Sequence, residues 1–276
     1  MEFAFNEEWP SPWELAMAHS FRRTVLGVVS ATLVVPAALG AQERVARPPA
    51  GAPGFLFEMP RTTLGLRGGF NLRRANAGPE DFYEFVTREL TLGRSDFNAF
   101  NIAAELSVVL AGPADLVFTA GHSTTTASSE FRDWVDQNDR PITQRTSLST
   151  VAFTAAARWN LSSRGRQIGQ FVWIPPRLLP YVGAGLGAIR YRLAQDGSFV
   201  DSRDLSIFSD RLASGGWTWL ALLMAGTDYS LGKRLFASAE ARYLWANAVL
   251  QQDFVSFDDG IDLSGLQFSL GLHVRI

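Results

Sequence analysis

Residues 263–276 read LSGLQFSLGLHVRI, and their alternation runs into the last residue. Leu266, Phe268, Leu270, Leu272, Val274 and Ile276 share one face of an extended strand, while Gln267, Ser269, Gly271, His273 and Arg275 share the other. Termini fray unless something holds them. A period of two kept up to Ile276 therefore predicts a final strand paired along both edges, as happens when a sheet closes on itself.

Seven more runs of the same period precede it from Thr62 onward: TTLGLRGGFNLRR, FNIAAELSVVLA, LVFTAGHSTTTASS, SLSTVAFTAAARWN, PYVGAGLGAIRYRLA, WTWLALLMAGTDYS and LFASAEARYLWANAV. Each spans roughly ten to fifteen residues, against about five or six for a soluble strand and nine to eleven for a tilted strand crossing a bilayer. Alternation alone does not say which face is outside, because a soluble ligand-binding barrel alternates with its apolar face inward. Two features decide for a membrane. Phe70, Trp159, Tyr181, Tyr191, Trp217, Tyr229, Tyr243 and Trp245 fall on the apolar face toward strand ends, as an interfacial aromatic girdle requires. The polar face mixes Gly, Ser and Thr with Arg and Glu, and Lys233 is the single lysine of the chain.

The connections alternate in length. AGPAD and SLGKR are short, whereas the stretches around 74–97, 129–143, 196–215 and 250–262 are long, which places short turns at one end and long loops at the other. LSSRGRQIGQFVWIPPRLLP breaks this order by falling where a short turn belongs. It is expected to lie at the membrane interface, with Phe171, Trp173 and Ile174 in the headgroups.

Composition narrows the classes further. Net charge is -2 with a pI near 6.0, which argues against a nucleic-acid surface, and the absence of cysteine excludes disulfides and thiolate chemistry. Residues 1–41 read as a signal segment: Arg22 and Arg23, an apolar run from Val25 to Val35, then Ala38, Gly40 and Ala41, with cleavage expected before Ala41 or Gln42. The acidic stretch before it makes Met17 the expected start. Residues 42–60, rich in Pro, Ala and Gly, read as a flexible periplasmic arm. Residues 61–276 are left as an all-β domain, an eight-stranded antiparallel up-and-down transmembrane β-barrel.

An exported chain with eight alternating segments and an alternating last strand resembles the small outer-membrane β-barrels of the OmpA-like and OmpW-like kind. The resemblance is one of architecture and covers residues 61–276. It implies an integral bacterial outer-membrane protein in contact with outer-membrane lipid and lipopolysaccharide, and the barrel is expected to be a monomer. It also implies that Leu270, Leu272, Val274 and Ile276 serve as the signal read by the barrel-assembly machinery, although that strand usually ends in Phe.

Site candidates follow from the facing. Arg67, Glu105, Arg158, Arg190, Arg192, Asp228, Glu240, Arg242 and Arg275 are expected in the lumen, where an eight-stranded barrel has room only for side chains, so they should pair into a plug. An arginine-lined anion path is the alternative. The loop segments PEDFYEFVTREL, EFRDWVDQND, GSFVDSRDLSIFSD and QDFVSFDDG mix aromatics with acids; Phe82, Phe85, Val86 and Leu90 make one face of a short helix starting near Pro79, and an ordered cap is expected. Asp253, Asp258 and Asp259 are weak candidates for a calcium or magnesium ion bridging lipopolysaccharide phosphates, without the spacing of a calcium loop. His122 and Ser123 are adjacent on a strand and point to opposite faces, so they cannot pair as base and nucleophile. No cofactor is implied. The reading is a non-enzymatic envelope or surface-interaction barrel, with a narrow channel for small or hydrophobic compounds, or lipid A modification, as alternatives.

Overall fold

A computed structural model describes residues 58–76, 81–168, 172–201, 206–255, 257 and 260–276. The signal segment, most of the arm, Pro79, Phe171, Asp258 and Asp259 lie outside the described residues. The chain order begins with β1 (Thr62–Arg73), helix α1 (Phe82–Glu89), β2 (Ala99–Ala111), β3 (Ala114–Val135) and β4 (Pro141–Asn160). A small hairpin, β5 (Arg166–Ile168) and β6 (Val172–Ile174), leads to β7 (Leu178–Val200), β8 (Ile207–Ser230) and β9 (Leu235–Trp245). The two-residue strands β10 (Asn247–Ala248) and β11 (Ile261–Asp262) root the last loop before β12 (Gly265–Arg275).

Eight of these strands close into one antiparallel ring in the order β1-β12-β9-β8-β7-β4-β3-β2. Closure is made by the terminal strand: β12 pairs β1 from Thr63↔Arg275 to Arg73↔Gly265 and pairs β9 on its other edge. Its amide at Ile276 still donates to the Thr62 carbonyl. The regular C-terminus is thus hydrogen-bonded on both sides, leaving no open edge there.

The outer wall is apolar. Leu64, Leu66, Phe70, Ile102, Phe118, Phe153, Leu186, Leu223 and Leu270 all project outward and are exposed, Leu270 at 71%. The assembly-signal candidates Leu270, Leu272, Val274 and Ile276 belong to this face. Of the girdle candidates, Trp159, Trp217, Tyr229, Tyr243 and Trp245 also lie outward. A soluble barrel has the reverse arrangement, with apolar side chains inside.

The strands differ in height. β3, β4, β7 and β8 have 22, 20, 23 and 24 residues, whereas β1, β2, β9 and β12 have 12, 13, 11 and 11. The stretches 129–143 and 196–215, read from sequence as long loops, are therefore largely strand. Threonine, serine and aromatic residues suit a paired ribbon in water as well as in lipid.

Above the apolar band the polarity of the wall inverts. On β7, Val182, Ala184, Leu186 and Ala188 face outward, followed on the same face by Arg190 and Arg192, which are exposed. Ile189, Tyr191 and Leu193 point inward and are buried. This corrects the sequence reading, which set Arg190 and Arg192 in the lumen and Tyr191 in the girdle. Tyr181 is likewise inward and buried. Pairing of β7 with β8 runs without a register shift from Leu178 to Val200, so the phase set at the glycine-rich start holds to the tip. Beyond the band the inside faces an apolar loop core and the outside faces water, so the apolar residues belong inside.

Candidate functional site

All eight barrel strands send a polar side chain into the lumen, and most of the charged ones form two ion-paired layers. In the upper layer Arg67 (β1) lies 2.7 Å from Glu105 (β2) and 3.2 Å from Glu240 (β9). Arg242 (β9) reaches Glu105 at 3.2 Å and also pairs with Glu240. Two guanidiniums and two carboxylates give a charge-balanced quartet, with the side chains almost fully shielded from solvent. Tyr181 (β7) donates to Glu240 at 2.7 Å, and Arg242 donates to Thr119 (β3) at 3.3 Å. His273 (β12) stacks on Phe236 with ring centroids 4.8 Å apart and shares a 2.8 Å hydrogen bond with Ser238.

The lower layer centres on Asp115 (β3). Arg158 (β4) donates to it at 2.9 and 3.1 Å, Arg164 pairs with it at 2.6 Å, and Asn160 donates at 2.9 Å. Arg158 also lies 3.5 Å from Asp228 (β8), and its guanidinium sits 4.8 Å over the Tyr181 ring, joining the two layers. Ions stripped of water are tolerated only when paired and hydrogen-bonded, and each layer supplies equal numbers of both signs.

Both ends of the lumen are covered. At the end bearing the start of β1 and the end of β12, the β5–β6 hairpin tucks Trp173 against the mouth, where it is buried. Arg275 lies between Trp173, at 5.7 Å, and Phe236, at 4.4 Å, and donates to Ser230 at 2.9 Å. This differs from the expectation that Trp173 enters the headgroups: Ile174 is exposed, but Trp173 finds an apolar and cationic niche under the barrel. The remaining void at this mouth is about 40 Å³.

Toward the other end, a chain of neutral hydrogen bonds runs across the lumen. Asn101 donates to Asn71 at 2.8 Å, Asn71 to Ser123 at 3.1 Å, and Ser123 and Thr150 share a bond of 2.9 Å. Above it sits the loop core. Asp81 caps α1 by accepting from the Tyr83 amide at 3.0 Å. The helix buries Phe82 and Val86 from the expected face, and Leu90 at its C-cap is buried as well, but Tyr83 is buried where Phe85 was expected and Phe85 is half-buried. Phe82 is the hub, in edge-on contact with Phe97 at 6.3 Å, Phe254 at 5.7 Å and Phe257 at 5.8 Å. Burial among these rings pushes the Tyr83 phenol above its ordinary pKa.

The other candidates are placed as follows. Asp253 accepts from the Ala213 amide at 2.8 Å and so pins the last loop to the upper edge of β8. Among the described residues no group of three potential metal ligands forms. His122 faces outward, while Ser123 is buried in the lumen chain. Asp115 and Arg164 complete the lumen and were not singled out from sequence, while His273 was placed only on the polar face of the last strand and Tyr181 was expected in the girdle. Counting back by two from Ser123 through Gly121, Thr119 and Val117 puts Asp115 on the inward face, a signal the short turn beside it obscured.

No protein-family model matches the chain, and no curated protein matches it. Solved structures resemble it in fold. The N-terminal β-barrel domain of Pseudomonas aeruginosa OprF is 14% identical, with 79% of this chain and 98% of that one covered and a TM-score of 0.36. Neisserial surface protein A is 10% identical over 78% of this chain and 96% of that one, TM-score 0.41. Ail, the attachment invasion locus protein of Yersinia pestis, is 8% identical over 78% and 99%, TM-score 0.38.

Proposed function

We propose that the chain is an integral outer-membrane barrel, monomeric and non-enzymatic, that serves envelope structure or surface interaction through its ordered outer loops. One observation carries this reading: the wall is apolar outside and ion-paired inside, and the inside is occupied from Trp173 at one mouth to the Phe82 cluster at the other. In water such a wall would expose a continuous apolar band, far beyond the patches soluble monomers tolerate. In a bilayer the same band is solvated, and closure of the eight strands into a ring gives each strand a partner on both sides. The placement of Ser123 and His122 on opposite sides of the wall supports a non-enzymatic role.

The filled lumen favours a closed barrel over a narrow channel. The test is mobility on a gel before and after boiling, followed by planar-bilayer recording of the refolded chain. The expected outcome is a boiling-dependent shift without steady conductance. Recovery of the protein as a soluble periplasmic species sinks the membrane reading, and steady conductance sinks the closed one.

A further inference from the structure

The outward faces of three adjacent strands change character at matching positions. On β4, Trp159, Ala157, Ala155, Phe153 and Val151 are followed by Ser149, Ser147 and Arg145. On β8, Leu223, Ala221, Trp219 and Trp217 are followed by Gly215, Ala213 and Arg211. Between them, on β7, Arg190 pairs across to Val151 and Trp217, and Arg192 to Ser149 and Gly215. Phe153 stacks on Trp217 with centroids 6.2 Å apart, and Trp219 beside it is 81% exposed. Such a belt marks the level where hydrocarbon gives way to headgroups.

Two guanidiniums therefore emerge at this boundary, about 7 Å apart along one strand face. Among the described residues no carboxylate pairs with Arg145, Arg190 or Arg192. The nearby acid on this face, Asp196, is the cross-strand partner of Arg145 and lies 3.9 Å from Arg211. Asp253, which accepts from the Ala213 amide at 2.8 Å, stands beside the same strands, so four cations meet two carboxylates. Ser147, Ser149, Ala213 and Gly215 keep the floor between them low. Bare cations against an apolar wall are costly unless an anion meets them.

We propose that Arg190 and Arg192, with Arg145 and Arg211 above them, bind the phosphate monoester of an outer-leaflet glycolipid. A monoester carries nearly two negative charges and three free oxygens, which matches two forked guanidiniums; a phospholipid diester offers less charge and fewer oxygens. The site rests on the reading of the chain as an outer-membrane barrel.

The test uses the full mature chain refolded in neutral detergent and titrated with bis-phosphorylated lipid A, with native mass spectrometry counting bound lipid. Wild type should bind it with an affinity that falls about a hundredfold in Arg190→Gln/Arg192→Gln, or about tenfold per guanidinium. Arg132→Gln, on the outward face of β3, should change nothing. Should the double variant lack the boiling-dependent shift, Arg192→Gln alone carries the test with its tenfold loss. Equal binding by wild type and variant overturns the site. So does equal binding of dephosphorylated lipid A or of phosphatidylglycerol, and so does full displacement by about 0.01 M inorganic phosphate, well below the physiological ionic strength of about 0.15 M. A wild type with no heat-dependent shift sinks the barrel reading, whereas a folded wild type indifferent to phosphate sinks this proposal alone.

Discussion

Removal of one carboxylate from the upper lumen layer is the most demanding test of the closed barrel. Glu105 lies 2.7 Å from the Arg67 Nε, and the Nη2 groups of Arg67 and Arg242 donate to it at 3.1 and 3.2 Å. The quartet is balanced with it and carries one excess positive charge in Glu105→Ala, with Glu240 left to face both guanidiniums. Breaking a buried pair from one side costs about 3–5 kcal/mol. The exposed helical pair Glu84–Arg88, at 3.6 Å, supplies an internal reference, and Glu84→Gln should cost no more than about 0.5 kcal/mol. Urea unfolding of the refolded barrel in phospholipid vesicles, followed by tryptophan fluorescence, measures both. Replacing partners together, as Glu105→Leu/Arg242→Leu, should recover part of the loss because no unpaired ion remains. A loss below about 1 kcal/mol for Glu105→Ala, the worth of a solvated surface pair, would refute the reasoning and show that water fills the lumen.

Three further outcomes follow from the geometry. Phe82→Ala should cost about 3–5 kcal/mol of cap stability and expose the loop between β1 and β2 to protease, with the transmembrane ring still resistant; limited proteolysis and mass mapping read this. At Gly185 an added Cβ would meet the Ala155 carbonyl at 2.5 Å, so Gly185→Val should disrupt the β4–β7 pairing and lower the yield of heat-shifting barrel, whereas Gly232→Ala, in open space, should not. The Asp136 carboxylate accepts from the amides of Asn138 at 2.7 Å and Arg140 at 2.8 Å, which holds it below the usual aspartate pKa. Its ordering of the β3–β4 tip is fully present above the ordinary aspartate range and is lost as pH falls through the lowered value, so the protection factors of the Asn138 and Arg140 amides, taken against the free-chain exchange rate at each pH, should fall in acid; unchanged protection would remove Asp136 from that role.

Particular residues show how far the lumen was legible. Arg67, Glu105, Arg158, Asp228, Glu240, Arg242 and Arg275 lie inward, where the period of two placed them, because a charge on the opposite face would meet hydrocarbon. Their partners could not be read: Arg67 and Glu240 are far apart in sequence and meet only because β12 lies between β1 and β9 in the ring. Trp173 was misplaced for a related reason. Its run of apolar neighbours suggested lipid, but the space beneath the barrel that receives it is formed by Phe236 and Arg275 from later strands.

Sequence by itself determined the number of barrel strands, their closure through the C-terminal strand and the outward direction of the apolar face in the membrane band. Side chains alternate with a period of two, and hydrocarbon permits no exception in that band. Only the tertiary structure decided where the band ends. Beyond Ala188 the phase continues while the surroundings exchange places, since α1 and the last loop bring an apolar core inside the tall half of the wall. Arg190, Arg192 and Tyr191 keep their register and change their meaning, because alternation records which residues share a face and the fold decides what that face meets.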